Sequence, residues 1–431
     1  MHPRLRGPRL AGLLIAAAAL VAAPALSQPP PAAEQPARPY LSLPDALSRA
    51  AGADPATAAS DARLAAADAA IRQAAVKPSS SLDVEVENFA GTGPYSLLDR
   101  QEATFSYARP IERGGKAEAR TGRARAERDA ARLRGEVKRL DTLRDAQAAY
   151  AEALADEAEL LVAEARLLSA QASQRDIDRR VKSARDPLFA GARAEVLTAQ
   201  AEIARDRARE AARASRAALA AYWGGSPDFA LKLDDFFTVQ APAEPPLADT
   251  PDLALLAAER DVAAAAVRVE QSRSVADPTV RAGVRYFGQG NEAALVVGGS
   301  IPLGARSANR ASVDRAQAER TAAEAEIAAA RITRQREVTR LTARLRALAL
   351  ESERIRTQVI PHAIRTVEQV TAGFNRGGFE YLDVTEAERA LADARMRRVE
   401  ALRDFHAGLA ALDRLTGKHQ RLVATPSQER R

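Results

Sequence analysis

Residues 80 to 120 read SSLDVEVENFAGTGPYSLLDRQEATFSYARPIERGGKAEAR. Leu82, Val84 and Val86 alternate with acidic residues, and after a Gly-bearing turn Phe105 and Tyr107 alternate with small polar ones. Alternation on both sides of a turn predicts a β-hairpin over 80–110. At Gly114-Gly115 the period changes, and from residue 116 to about 184 the pattern is helical. The same switch recurs further on. Val280, Ala282, Val284 and Tyr286 lead through GQGNE to Leu295, Val297 and Ile301, a second hairpin over 279–302, followed by a helical stretch from 307 to 372. A shorter Ala-rich helix precedes each hairpin and stops at a proline, Pro78 or Pro278. Each long helix ends in a breaker cluster, ARDPLFAGAR (184–193) or GFNRGGFEYL (373–382), and a return helix follows to Trp223 or Thr416. The chain therefore reads as an internal duplication of about 190 residues.

The long helices carry heptad stripes: Leu133, Leu140, Gln147, Leu154, Leu161 and Leu168 in the first, Ile327, Arg334, Leu341, Leu348 and Ile355 in the second. Sustained heptads predict coiled-coil packing. Each such helix would be on the order of 100 Å long at ~1.5 Å per residue. Pro361, within the second stretch, is expected to bend or loosen it.

Composition narrows the function. The 431 residues are 46% hydrophobic but only 4% aromatic, with Ala carrying most of the apolar share, which suits thin, close-packed helices. The chain has no Cys, which excludes disulfides, thiolate metal sites, a Cys nucleophile and a lipid-anchored N-terminal Cys. The net charge of +6 suggests a polyanion ligand, but the arginines are interleaved with acids, as in RARAERDAARLRGEVKRLDTLRD, a pattern of solvated helix faces. Arg4, Arg6 and Arg9 followed by LAGLLIAAAALVAAPAL read as a signal peptide over 1–27. Those three arginines and no acid account for half of the +6, leaving +3. A Pro-rich linker, 28–42, comes next. The first repeat is expected over 43–223, a linker with a small β or loop element over 224–250, the second repeat over 251–417 and a tail over 418–431.

Strands of about eight to ten residues match what a tilted transmembrane strand needs. Four strands cannot close a barrel, and an open edge cannot sit in lipid with its backbone groups unpaired. Three copies in a ring would supply twelve strands. The expected fold class is thus mainly α with membrane β: long coiled-coil helical hairpins, and four strands per chain contributing to a twelve-strand trimeric barrel.

VEVENFAGTG (84–93), ARPIERGGKAEAR (108–120) and VIPHAIRTVEQVTAGFNRGGFEYLDVTEAERAL, with first-half echoes at Gly191, Glu195, Val196 and Ala199, carry a family likeness. From about Leu43 to Gly417 the chain resembles the TolC-like outer-membrane efflux proteins, and within them the CzcC-like subgroup of heavy-metal cation exporters. The resemblance implies a homotrimer in the outer membrane, extending into the periplasm, with its strands continuous with an α-barrel tunnel. The implied partners are a periplasmic adaptor, an inner-membrane proton-driven RND pump and outer-membrane lipid, with no nucleic acid. It also implies an acidic constriction at the tip. Asp383 matches one family position, and Glu386 stands where Asp is usual.

Spaced three apart, Asp383 and Glu386 share a helix face, and three chains would converge six carboxylates. Arg185, Arg193 and Arg376 are the candidate ion-pair partners, with Gly191, Gly377 and Gly378 shaping the tip and its adaptor contact. The alternative role of the two acids is to favour a helix N-terminus. Phe89, Phe105, Tyr107, Tyr286 and Phe287 are candidate membrane-interface aromatics. His362 falls on the stripe and reads as a packed or interface residue. His406 and His419 have no partner at metal-ligand spacing. GGK (114–116) and GGSIP (298–302) each lack a residue of the motif they suggest. No catalytic constellation, metal site or cofactor is expected. The competing functions at this level are an exit duct for drugs or type I secreted proteins, and a periplasmic coiled-coil scaffold without a barrel.

Overall fold

The computed structural model describes residues 39–53, 55–95, 100–246 and 249–423. The expected signal peptide, most of the 28–42 linker and residues 424–431 of the tail lie outside them. The elements are β1 (Tyr40–Leu41), α1 (Leu43–Ala53), α2 (Pro55–Ala74), β2 (Ser81–Glu87), β3 (Glu102–Pro110), α3 (Lys116–Lys182), α4 (Leu188–Ala221), β4 (Ala230–Leu231) and α5 (Leu233–Phe237). They continue with α6 (Pro251–Arg273), β5 (Thr279–Phe287), β6 (Glu292–Ser300), α7 (Ala305–Arg354), a π-helical turn (Ile355–Val359), α8 (Ile360–Asn375), α9 (Tyr381–Thr416) and α10 (Gln420–Val423). No helix among the described residues is long and apolar enough to cross a membrane.

The two hairpins pair with each other. The sheet order is β2-β3-β5-β6, antiparallel throughout, and β3 runs against β5 over nine residue pairs from Glu102↔Phe287 to Pro110↔Thr279. Helices follow the same order below the sheet: α3 packs on α2 and on α6, and α6 packs on α7. The duplication extends to the junctions. Gly115 and Gly304 cap the long helices with the same left-handed backbone (φ 68° and 82°). Five residues on, a side chain ties down the end of the preceding helix: Arg120 donates to the carbonyls of Ala74 and Val76, and Asn309 to that of Glu270.

At the waist, β1 pairs with β4 in parallel (Leu41↔Leu231). Leu41, Tyr150, Leu154, Leu219, Phe229, Phe236 and Leu402 pack into one cluster there. The Tyr150 hydroxyl donates to the Leu41 carbonyl (3.1 Å), and burial, aided by Asp235 and Asp45, pushes its pKa up to about 12. Two expectations need correction. Residues 39–42 fall within the expected linker, yet Leu41 is buried in this cluster because its strand finds an edge on β4. Residues 420–423 of the tail form α10 and bury Val423.

The first stripe also behaves differently from a strict coiled coil. Leu133, Leu140, Gln147 and Leu154 are buried, but Leu161 and Leu168 face away from the chain's other helices, and Leu167 and Ile177 take over. Seven residues fall about 20° short of two full α-helical turns, so a heptad row drifts off the seam of a helix that does not supercoil enough to follow it.

The polar members of the two stripes meet at the waist. Gln147 donates to Asp413 (2.9 Å), which also accepts from Lys418 (3.0 Å), and His419 contacts Gln147 (3.1 Å). Arg334 donates to the Leu415 carbonyl (2.8 Å) and lies 3.8 Å from Asp252. Arg414 grips Asp252 through two nitrogens (2.7 and 2.8 Å) and reaches Asp141 (2.8 Å). Burial pushes the Asp252 carboxyl up, but the hydrogen bonds and charge of Arg414, with Arg334 behind, outweigh it and hold the pKa below the ordinary value. The stability this provides is present above the ordinary carboxylate pKa and is lost as pH falls through the lower folded value. Asp252→Asn is therefore expected to cost about 2 kcal/mol at pH 7. Circular-dichroism melts should show the gap between wild type and variant closing below about pH 4; a constant gap would contradict this role.

Candidate functional site

The sheet is inside-out relative to a soluble protein. Side chains alternate across a strand, and the registers place Leu82, Tyr107, Ala282 and Val297 in one row and Val84, Phe105, Val284 and Leu295 in the next, all on one face. Those apolar residues are exposed, with Leu295 at 85% and Val297 at 83%, while Thr104 and Ser106 on the opposite face are 5% and 3% exposed. The second face carries Asp83, Glu85, Glu87, Glu102 and Glu292 against Arg281 and Arg285. Arg285 reaches Glu102 (3.0 Å), Glu87 (3.2 Å) and the Thr104 hydroxyl (2.9 Å). An apolar surface backed by a polar wall suits lipid on one side and water on the other.

Phe105, Tyr107 and Tyr286 stand on the apolar face. Phe89 follows the end of β2 in the connecting turn and is exposed. Phe287 does not join them. It is adjacent to Tyr286 and so points to the polar side, where it lines a 290 Å³ depression with Glu102 and Glu292. Strand alternation forbids neighbouring residues from sharing a face.

At the other end of the molecule the two helical hairpins turn by the same motif. In the second tip the Gly377 amide donates to the Phe374 carbonyl (2.9 Å) and the Gly378 amide to that of Gly373 (2.9 Å), with Gly377 left-handed at φ 81°. In the first, Ala184 donates to Val181 (2.9 Å) and Arg185 to Arg180 (2.9 Å), with Ala184 left-handed at φ 56°. Both are Schellman ends, and the first accepts an alanine where glycine is favoured. Arg180 joins the tips. Its guanidinium pairs with Asp186 (2.6 and 3.2 Å), donates to the Phe374 carbonyl (3.2 Å) and sits 4.2 Å from the centre of the Phe374 ring.

Pro361 acts one turn before its own position. The Ile360 amide bonds to the Ile355 carbonyl, five residues back, at the end of the π turn. A proline cannot pair with the carbonyl four residues before it and crowds it; the wider turn relieves that crowding. One extra residue rotates everything beyond by about 100°. Before the turn the inward row includes Leu341, Leu345, Ser352 and Ile355; after it, Val367, Val370 and Phe374, each one place later than an unbroken helix would put it.

The predicted tip residues divide. The Asp383 carboxylate accepts from the Glu380 amide (2.9 Å) in a reciprocal capping box at the start of α9. Glu386 and Arg193 line one groove of 570 Å³ between the helices of the tip. Deeper in it, Glu388 accepts from Ser169 (2.7 Å) and Ser173 (2.9 Å). Arg185, Arg193 and Arg376 are exposed and form no ion pair among the described residues. Gly191 is close only to Asp178 and Val181, with space for a side chain. Arg180, Asp186 and Glu388 were missed; the only sequence signal was their closeness to the breaker clusters. His362 contacts Arg365 (2.7 Å) on an exposed surface of this chain. His406 stacks on Phe236 (5.1 Å) and donates to its carbonyl (3.0 Å), and burial holds its pKa down.

This architecture has known counterparts. Residues 246–418 match the family model described as outer membrane efflux protein. The match spans the second repeat of the chain. It is 29% identical over 384 residues, 88% of this chain and 90% of the other, to the cobalt-zinc-cadmium resistance protein CzcC of Cupriavidus metallidurans. It is 28% identical over 287 residues to the nickel and cobalt resistance protein CnrC of the same organism, covering 62% of this chain and 68% of that one. The crystal structure of the outer membrane protein VceC from Vibrio cholerae superposes with a TM-score of 0.67 at 21% identity, covering 87% of this chain and 96% of that one. The chain is a channel of the outer membrane that extends into the periplasm, and it is not an enzyme.

The tip clamp gives a contrast among arginines. Arg180→Ala is expected to cost about 2 kcal/mol, since it strands Asp186 and removes the ring contact. Arg185→Ala, Arg193→Ala and Arg376→Ala should each stay within about 0.5 kcal/mol. Tryptic nicking at the tip, timed under native conditions, should accelerate only in the first; equal rates across the four would refute the clamp.

Proposed function

We propose that this outer membrane efflux protein is the exit duct of a tripartite, proton-driven system for heavy-metal cations, working with a periplasmic adaptor and an inner-membrane RND pump. The observation that carries the cargo is the polar face of the sheet, where five carboxylates stand against two guanidiniums. A wall of that sign draws cations and repels anions. The chain's likeness to cobalt-zinc-cadmium and nickel-cobalt resistance proteins supports the same cargo.

The assembly follows from the two open edges. β2 and β6 each have one unpaired side, which lipid cannot satisfy. Two copies would make eight strands, whose interior is just wide enough for side chains; three make twelve and leave a lumen. Four helices, α2, α3, α6 and α7, hang below the four strands, so a trimeric ring of twelve strands would continue as twelve helices. The repeats divide the duct accordingly, with residues 224–250 at the waist between them.

At the tip, Asp383 and Glu386 form the acidic constriction in this reading, and Arg185, Gly191, Arg193, Arg376, Gly377 and Gly378 make the surface that pairs across copies or meets the adaptor. Asp383 performs this task while capping α9. The double variant Asp383→Ala, Glu386→Ala should raise single-channel conductance in planar bilayers; unchanged conductance argues against the gate. Deleting the gene should sensitise cells to cobalt, zinc, cadmium or nickel, while leaving drug tolerance as it was. The opposite pattern of sensitivities would assign the duct to drugs.

A further inference from the structure

Below the end of β6 the apolar face of the sheet does not stop. Ile301 keeps the parity of Leu295 and Val297, and Leu303 follows it; they are 66% and 93% exposed. With Val275 they line an open groove of 1130 Å³ between the end of α6 and the start of α7. Arg306 and Arg310, one helical turn apart, line the same groove. Both are exposed, and neither has a hydrogen bond or ion pair among the described residues.

The other repeat treats its cations differently. On the first turns of α3, Lys116 is neutralised by Asp277 (2.6 Å) and bonded to the Val275 carbonyl (2.7 Å), and Arg120 is paired with Glu112. The corresponding turns of α7 carry two guanidiniums that form no ion pair among the described residues. Asp314, a further turn down, is the carboxylate of the groove and leaves it net positive.

Depth identifies the ligand. With the strands crossing the hydrocarbon, as the proposed barrel requires, Arg306 and Arg310 start about 3 and 9 Å below Gly304 at ~1.5 Å per helical residue, and a long guanidinium side chain can reach back up toward the interface. The polar zone of a bilayer leaflet is about 5–8 Å thick. We propose that this groove binds the headgroup of an anionic phospholipid of the periplasmic leaflet, the phosphate on Arg306 and Arg310 and an acyl chain along Leu303, Ile301 and Val297. Guanidinium suits phosphate through paired N–H donors, and a net positive groove favours an anionic over a zwitterionic lipid. A second copy is the weaker occupant. The part of a neighbour that would approach β6 is the start of β2, where residues 69–82 contain Arg72 and Lys77 but no carboxylate, and the flanking Asp68 and Asp83 are engaged by Arg128 and Ser81 of their own chain.

The full-length protein, purified in detergent, can be offered equal amounts of phosphatidylglycerol and phosphatidylcholine, with retained lipids counted by native mass spectrometry. Wild type should favour phosphatidylglycerol by about tenfold, the order expected of two arginines near an anionic headgroup. Arg306→Gln with Arg310→Gln should lose that preference while keeping its oligomeric state and melting temperature. Arg109→Gln with Arg113→Gln, exposed arginines of the first repeat at the same level, should keep it. The proposal fails if wild type shows no preference, if the groove variant retains it, or if the control variant loses it equally, which would mean a diffuse basic belt. It also fails if the groove variant dissociates, which would make this surface a contact between copies.

Discussion

The pairing of β3 with β5 is the contact on which the rest of the chain depends. It joins segments more than 160 residues apart in sequence through nine consecutive residue pairs, and it brings two hairpins, each too small to stand alone, into one sheet. Its register decides which face is apolar. A slip by one residue would turn every side chain of one hairpin over, sending Arg285 toward lipid and Val284 toward its charges. Helix order follows from it as well, since α2, α3, α6 and α7 leave or enter the strands in the sequence in which those strands pair.

Far from the sheet, the molecule is held by polar contacts that look like errors in an apolar pattern. Gln147 and Arg334 interrupt otherwise hydrophobic stripes, and each sits where the end of α9 crosses the long helices. A Leu at 147 would take a hydrogen bond from the buried Asp413 carboxylate, and a Leu at 334 would take the donor from the Leu415 carbonyl and a cation from beside Asp252, losses that cost more inside a protein than in water. The waist therefore combines the apolar cluster around Tyr150 and Phe236 with these ion pairs and hydrogen bonds.

Much of this could be read from residue order. The switch from a period of two to a helical period, the glycine clusters and the prolines located the strands, long helices and turns within a few residues, and the duplication made each half a check on the other. The adjacency of Tyr286 and Phe287 already ruled out a shared face. The polar residues in the stripes were visible too, but not their partners, which come from Asp413 and Asp252 at distant points of the chain. Residues 39–42 looked like linker because a two-residue strand has no periodicity to detect.

Local periods and breakers are properties of neighbouring residues, so the sequence by itself determined the elements, their lengths and their repetition. Which side chains meet at the tip was decided only by tertiary structure. Arg180 finds Phe374 because a π turn before Pro361 rotates the last stretch of helix by about 100°. Small phase errors accumulate along a helix of this length, and the packing of both repeats together selects the phase. The fate of charge was settled in the same way. Lys116 and Arg120 find carboxylates inside the fold, while Arg306 and Arg310, on the matching turns of α7, are left facing outward because the strand beside them ends without one.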